Sequence, residues 1–269
     1  MTNERSINVK LIVRTSRNKL AFAVVNTANA EQPVSYCPYD VKNGITMAAN
    51  LREAFRTVPL LQDSYQRVVV AVDAPVLMVP VDLYQEQERE TLYYHSFPQS
   101  KQDIVLSYVL PNLNCVVLYA INRDLRLVLN DHFPQAQYIC SSAPIWRYLH
   151  QRSFTGVRAK LFGYFHDQYL EVFSFQQNRF KFHNSFETTR TPDTVFYLLY
   201  VWKQFNLQQE HDELHLAGEI PEQTVLLEEL RKYLKRAYVV NPAADFNRSP
   251  VTQIADMPYD LMTLIVKGR

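Results

Sequence analysis

His211 and His215 stand four residues apart, a spacing that puts two imidazoles on one face of a helix or a strand, where they could bind a metal ion. The pattern differs from the His-Glu-x-x-His motif of zinc proteases, because Asp212 follows the first histidine and Leu214 begins an apolar run. A surface loop that enters a strand explains the pair better. We therefore predict no metal site here, with metal binding as the alternative.

No motif that specifies a reaction occurs elsewhere. The chain holds no Gly-x-Ser-x-Gly elbow, no Cys-x-x-Cys pair and no Walker loop. Glycine is scarce, with 5 in 269 residues, where an average protein has about 7%. Chemistry that depends on glycine-rich loops is therefore disfavoured.

Composition and charge exclude further classes. Lys and Arg number 28 against 27 Asp and Glu, a net charge of +1, which is too balanced for a protein that follows nucleic-acid phosphates. No apolar window approaches 18 residues and Met1–Lys10 lacks a signal-peptide pattern, so we expect neither a membrane span nor secretion. Cys37, Cys115 and Cys140 are odd in number and lie in apolar runs, which predicts buried thiols in a reducing cytoplasm.

The elements that must position any site occur twice in the same order. In the first copy, residues 9–14, 20–25 and 33–37 are β-rich, residues 47–58 have helical spacing, and residues 67–73 form a continuous apolar strand. In the second copy, the strands are 157–165, 168–175 and 178–184, followed by a helix capped by Thr191 and a strand over 213–217 that ends at Gly218. Another helix, starting at Pro221, and a strand at 236–240 follow.

Extra material separates the copies. Residues 75–112 predict a strand, an acidic helix and a strand, which we interpret as a small subdomain inserted into the first copy. The lobes are then residues 1–153 and 154–269, the second with a C-terminal tail. In that tail, Leu261–Val266 is apolar throughout and predicts an edge strand.

This duplication resembles the ribonuclease-H-like halves of the actin, sugar kinase and Hsp70 superfamily, with an insert in the first half as in pilus-assembly actin homologues. Residues 181–186, 191–199 and 214–220 are similar, more specifically, to the uncharacterised bacterial family called domain of unknown function 3822. That family has no assigned activity. The resemblance implies an α/β fold: a duplicated ribonuclease-H-like, actin-like ATPase architecture with a small inserted subdomain.

The resemblance also implies where a nucleotide would bind. Actin-like ATPases cradle phosphates with two hairpin turns, commonly Asp-x-Gly, because glycine lets the main chain approach closely. Here the turns are residues 16–19 and 165–168, and neither contains glycine. Lys19 could meet a phosphate, Asp167 could hold a hydrated Mg²⁺, and Gly218 resembles the piece that approaches adenosine. We favour the alternative, in which all three are ordinary turn and connecting residues.

A ribonuclease-H-type nuclease would need several carboxylates at strand ends to hold two metal ions. The first strand has none, and Asp73 and Asp167 would have to meet across the two halves. We therefore disfavour a nuclease.

Aromatic side chains crowd one hairpin region, and strand alternation sends about half of them to each face of the sheet. They form either a docking face or, as we favour, a surface covered within the chain. The residues are Tyr164, Phe165, Tyr169, Phe173, Phe175, Phe180, Phe182 and Phe186.

The sequence thus favours a cytoplasmic pseudo-ATPase: an actin-like protein without catalysis or cofactor that binds another protein or itself. An ATP- and Mg-binding kinase or ATPase with divergent loops is the alternative. A protein that assembles through its tail strand is the third hypothesis.

Overall fold

The structure is a computed structural model that describes residues 9–29 and 31–268. Residues 1–8, most of the segment in which the sequence shows no signal-peptide pattern, lie outside the described residues. The chain divides into two compact units. One ends at Ala143 and includes Gln253–Met257, and the other runs from Pro144 to Thr252 and resumes at Pro258.

The first unit is built on a five-stranded sheet in the order β3-β2-β1-β4-β8. Its strands are β1 (Val9–Thr15), β2 (Leu20–Asn26), β3 (Val34–Tyr39), β4 (Arg67–Val72) and β8 (Gln137–Cys140). β1, β2 and β3 form an antiparallel meander, whereas β4 pairs with β1 and β8 in parallel. Leu11, Ile12 and Val13 are all fully buried, because both faces of this central strand are covered.

Two helices of this unit, α1 (Met47–Thr57) and α3 (Arg123–His132), pack against each other. Thr46 caps α1 through a hydrogen bond from the Ala49 N–H, and Asn122 caps α3 through the N–H groups of Asp124 and Leu125. These caps satisfy N–H groups that the first turn of a helix leaves without partners.

The inserted sheet has the order β5-β7-β6, with β5 (Val76–Pro80), β6 (Ile104–Leu110) and β7 (Cys115–Ile121). Helix α2 (Arg89–Ser96) packs on it through the fully buried Tyr93. β7 is buried at every position and lies between the other two strands. The sheet therefore extends beyond the predicted segment 75–112, because its central strand comes last in the chain.

The second unit repeats the five-stranded order as β11-β10-β9-β12-β13. Its strands are β9 (Lys160–His166), β10 (Tyr169–Gln176), β11 (Arg179–Glu187), β12 (Glu213–Gly218) and β13 (Ala237–Val239), and its helices are α4 (Ala143–Ser153), α5 (Thr191–Gln204), α6 (Gln223–Arg231), α7 (Pro242–Asp245) and α8 (Tyr259–Lys267). In both sheets the third, second and first strands are antiparallel and the fourth and fifth are parallel additions. The predicted repeat of strand and helix order is confirmed.

Helix α4 belongs to the second unit, whereas the sequence placed the boundary at 153/154. Its Trp146 donates to Glu171 of β10, and the His150 ring lies 2.8 Å from the Gln177 carbonyl oxygen. The helix therefore covers the face of the second sheet that α5 leaves open.

Three local predictions are wrong. Arg190, not Thr191, occupies the N-cap of α5, and the Thr191 hydroxyl instead donates to Glu222 at 2.6 Å. Helix α6 begins at Gln223 rather than Pro221. The tail is the helix α8 and not an edge strand, because Leu261 and Leu264, which share one helix face, are both buried.

No helix among the described residues combines the length and the apolar character needed to cross a membrane. None of the three described cysteines forms a disulfide; Cys115 and Cys140 are buried, as expected, whereas Cys37 is only half-buried.

Candidate functional site

The turn that joins β1 to β2 lies at the carboxyl end of β1. The Ser16 N–H donates to the Lys19 carbonyl at 3.0 Å, and the Lys19 N–H donates to the Ser16 hydroxyl at 3.2 Å. The Lys19 side chain is exposed. Because two N–H groups of this turn already bond within it, fewer remain to cradle a phosphate.

A buried ion pair lies beside this turn. The Arg14 guanidinium is 3.2 Å from the Asp73 carboxylate, and the two side chains are only 3% and 10% exposed. The Asp73 N–H also donates to the Thr15 carbonyl at 2.8 Å, which fixes Asp73 at the end of β4. Asp73, a carboxylate considered for a nuclease, is therefore neutralised by an arginine that the sequence analysis did not single out.

The second turn joins β9 to β10 through Asp167 and Gln168. Both residues have left-handed backbones, with φ of 43° and 70°, as in a type I′ hairpin turn. The Gln168 carbonyl accepts from the Thr188 N–H at 2.9 Å. Each central residue carries a Cβ where a glycine would leave room for a close approach.

Gly218 ends β12 at the same edge of the second sheet as Asp167, since β12 runs parallel to β9 and Gly218 pairs with Phe165. Its φ is +93°, and a Cβ there would lie 2.1 Å from the Phe165 carbonyl oxygen. The adjacent Glu219 N–H donates to that oxygen at 3.0 Å. Close packing of two strand ends therefore accounts for this glycine.

The histidine pair does not form a cluster on one element. His211 lies in an exposed turn, whereas His215 lies within β12, where its ring is 3.0 Å from the Glu213 carboxylate. Burial lowers the pKa of His215, and Glu213 only partly offsets that effect. The structure thus agrees with a loop that enters a strand.

A buried carboxylate that the sequence analysis missed lies below the second turn. Glu171 of β10 is 4% exposed. One of its oxygens is 3.1 Å from His166 Nε2, and the other is 3.0 Å from Trp146 Nε1 and 3.3 Å from His183 Nε2. We call these four residues the Glu171 cluster. It ties β9, β10, β11 and α4 together.

The charge of Glu171 is stabilised by its neighbours. Burial alone would raise the pKa of this carboxyl, but the hydrogen bonds and charges of His166 and His183 outweigh it, so that the pKa lies well below its ordinary value. Because His166 directly precedes Asp167, the cluster also fixes the base of the second turn. The Glu171 cluster thus positions the second turn. The ring nitrogens of Trp146, His166 and His183 all point to the one carboxylate of Glu171.

The aromatic residues of the hairpin region are largely covered within the second unit. Tyr164, Phe165 and Phe173 are buried, and Phe182 and Phe186 pack at the edge of the core beneath α5 and α6. On the opposite face, the Phe180 ring lies 5.7 Å from Trp146. Intramolecular covering, the favoured alternative, accounts for these side chains.

A family model described as protein of unknown function (DUF3822) matches residues 1–237. The chain belongs to this family. The resemblance seen in residues 181–186, 191–199 and 214–220 is thereby confirmed. No curated protein matches the chain.

Solved structures place this DUF3822 member in a known fold. A Bacteroides thetaiotaomicron protein described as having an actin-like ATPase fold and unknown function is 28% identical, with a TM-score of 0.82 over 94% of this chain and 99% of that one. A chain from the PilM–PilN type IV pilus biogenesis complex is 12% identical, with a TM-score of 0.56 over 96% and 94% of the two chains. The chain has the actin-like ATPase fold, as predicted.

In the DUF3822 chain the three candidate residues lie at or next to strand ends. Asp167 and Gly218 lie at the carboxyl edge of the second sheet, and Lys19 lies at the carboxyl end of β1 in the other unit. Ligands of α/β proteins bind at such edges.

Proposed function

We propose that this chain is a non-catalytic actin-like scaffold or protein-interaction module that lacks phosphate-binding loops and binds another protein or itself. One observation carries the proposal: both turns that would cradle phosphates are free of glycine, and in the first turn two N–H groups are already bonded within the turn. The N–H groups of Ser16 and Lys19 close the first turn, and in the second turn Asp167 and Gln168 each carry a Cβ where a glycine would leave room.

The side chains at the second turn support the same proposal. Asp167 is an anion at the tip, which repels phosphate unless a cation lies between them. Gly218, which would approach adenosine, is already required by its contact with Phe165. Neither residue therefore needs a nucleotide to explain its presence.

An exposed aromatic pair on α5 supports the interaction role. Phe196 and Tyr200 are 61% and 51% exposed, and their rings stack with centroids 5.9 Å apart. Large aromatic side chains are enriched at protein interfaces. The PilM–PilN structure is that of a complex, so a protein of this fold has a protein partner in that case.

Mg-ATP and Mg-ADP are expected to leave the thermal stability of the protein unchanged. A ligand that binds the folded state raises the free energy of unfolding by about 2.7 kcal/mol at 100 times its Kd, so a real site gives a clear shift. The measurement is a thermal melt with each nucleotide at millimolar concentration, together with an assay for phosphate release.

The matched variants are Asp167→Ala and Lys19→Gln. A stabilisation by Mg-ATP that disappears in Asp167→Ala would contradict the scaffold proposal and support the alternative, an ATP-binding kinase or ATPase with divergent loops. Turnover lost in the same variant would identify an enzyme.

The double variant Phe196→Ser/Tyr200→Ser is expected to change the free energy of unfolding by no more than about 1 kcal/mol, since both side chains are largely exposed. Phe173→Ser, at a fully buried position of the same unit, is the control, and it should cost about 3 kcal/mol or more. A large loss in the double variant would show that the pair serves the fold rather than a partner.

Light scattering of the wild type and the double variant over a range of concentrations tells whether the partner is a second copy of this chain.

A further inference from the structure

A small pocket lies between α1 and α3 of the first unit. Its volume is about 240 Å³, and it is lined by Arg52, Phe55, Arg56, Val128, Asp131 and His132. Phe55 and Val128 are buried and form its apolar part. The pocket uses no residue of either hairpin turn.

The aromatic wall of this pocket is pre-formed. The rings of Phe55 and His132 stack with centroids 3.7 Å apart and an angle of 2° between their planes. His132 Nδ1 lies 3.0 Å from the Val128 carbonyl oxygen, which holds the ring against the end of α3. A ligand would therefore meet a wall that is already in place.

Two arginines supply positive charge to the pocket. Arg52 and Arg56 are four residues apart on α1, so their side chains are neighbours on one helix face, where like charges cost about 0.2–0.5 kcal/mol. Among the described residues, neither guanidinium forms an ion pair, although Asp131 lines the same pocket. The nearby Glu53 pairs with Lys42 instead.

The helix dipole at the carboxyl end of α1 accounts for only one of these two arginines. Arg56 lies in the last turn, where a cation is favoured by the helix dipole. Arg52 lies one turn earlier and gains little from it. An anion between the two guanidinium groups would offset their repulsion and give each group a partner.

The size of the pocket limits what it can hold. Pockets for drug-sized ligands occupy about 300–1,000 Å³, and 240 Å³ suits a single small group better than a ligand of that size. Guanidinium groups match phosphate and carboxylate oxygens in a two-pronged geometry.

We propose that the α1–α3 pocket binds an oxyanion, a phosphate or carboxylate group, through Arg52 and Arg56. This inference goes beyond the proposed function and does not depend on it, because the two concern different residues. It fails or holds regardless of whether Mg-ATP binds.

The test is titration of the full chain with inorganic phosphate, followed by NMR of the arginine Nε–H groups at low ionic strength. Arg52→Gln and Arg56→Gln are each expected to weaken phosphate binding about tenfold, which equals about 1.4 kcal/mol. Arg123→Gln, an exposed arginine of α3 outside the pocket, is the matched control and should bind phosphate like the wild type.

A parallel titration with acetate distinguishes a phosphate site from a carboxylate site. Tighter binding of phosphate assigns the site to phosphate, and tighter binding of acetate assigns it to a carboxylate. Binding of either anion supports the site if Arg52→Gln weakens it. The proposal is overturned if neither anion binds, or if Arg123→Gln weakens binding as much as the pocket variants do. Thermal melts without added anion check that the variants fold, and neither pocket variant should melt below the wild type.

Discussion

Gly218→Ala is expected to lower the free energy of unfolding by at least about 3 kcal/mol. At φ of +93° an alanine is strained, and its Cβ would lie 2.1 Å from the Phe165 carbonyl oxygen. That oxygen belongs to the backbone of β9, so relief requires the ends of β9 and β12 to separate. Separation would also break the hydrogen bond from the Glu219 N–H. Chemical denaturation monitored by circular dichroism measures the loss.

Gly156→Ala is the matched control in the same unit. Gly156 also has a positive φ, +78°, but no atom lies within 4 Å of its would-be Cβ. This variant should pay only the backbone strain of about 1–2 kcal/mol. If Gly218→Ala is no worse than Gly156→Ala, close packing is not what requires this glycine, and a role in ligand binding regains support.

The order of the strands along the chain could be predicted in both units because local sequence patterns determine it. Alternating or continuous apolar runs separated by short polar turns identify β1, β2, β9 and β10, and the duplication strengthens each assignment. The tail could not be assigned in this way. Leu261–Val266 is apolar at nearly every position, and such a run fits a helix and a strand equally well until its contacts are known.

The candidate functional residues could also be predicted only in part from the sequence. Lys19, Asp167 and Gly218 fall in turns or at a strand end, which the sequence marks by polarity and by glycine. Glu171 carried a weaker signal: a carboxylate inside the apolar run of β10 must have partners if it is buried. His183 could not be named as a partner, because the pairing of β10 with β11 shifts at Ser174 and Phe175. The α1–α3 pocket depends in the same way on a contact between distant helices.

Glu171→Ala is expected to cost about 3–5 kcal/mol of unfolding free energy. The substitution removes the acceptor of Trp146, His166 and His183, and leaves three ring nitrogens in a buried site without their partner. Glu187→Ala, at an exposed position of β11, is the control and should stay within about 0.5 kcal/mol of the wild type. A small loss in Glu171→Ala would mean that the Glu171 cluster does not hold β9, β10, β11 and α4 together.

The same carboxylate predicts a direction for acid sensitivity. The folded-state pKa of Glu171 lies below its unfolded value, which is about 4.3 for a free glutamate. The charged form therefore contributes stability above that pH, and the contribution is lost as the pH falls below it toward the folded-state pKa. Glu171→Gln lacks the titrating group, so the stability advantage of the wild type over this variant should shrink as the pH falls below about 4. An advantage that grew as the pH fell below about 4 would mean that Glu171 is already protonated in the folded protein at higher pH.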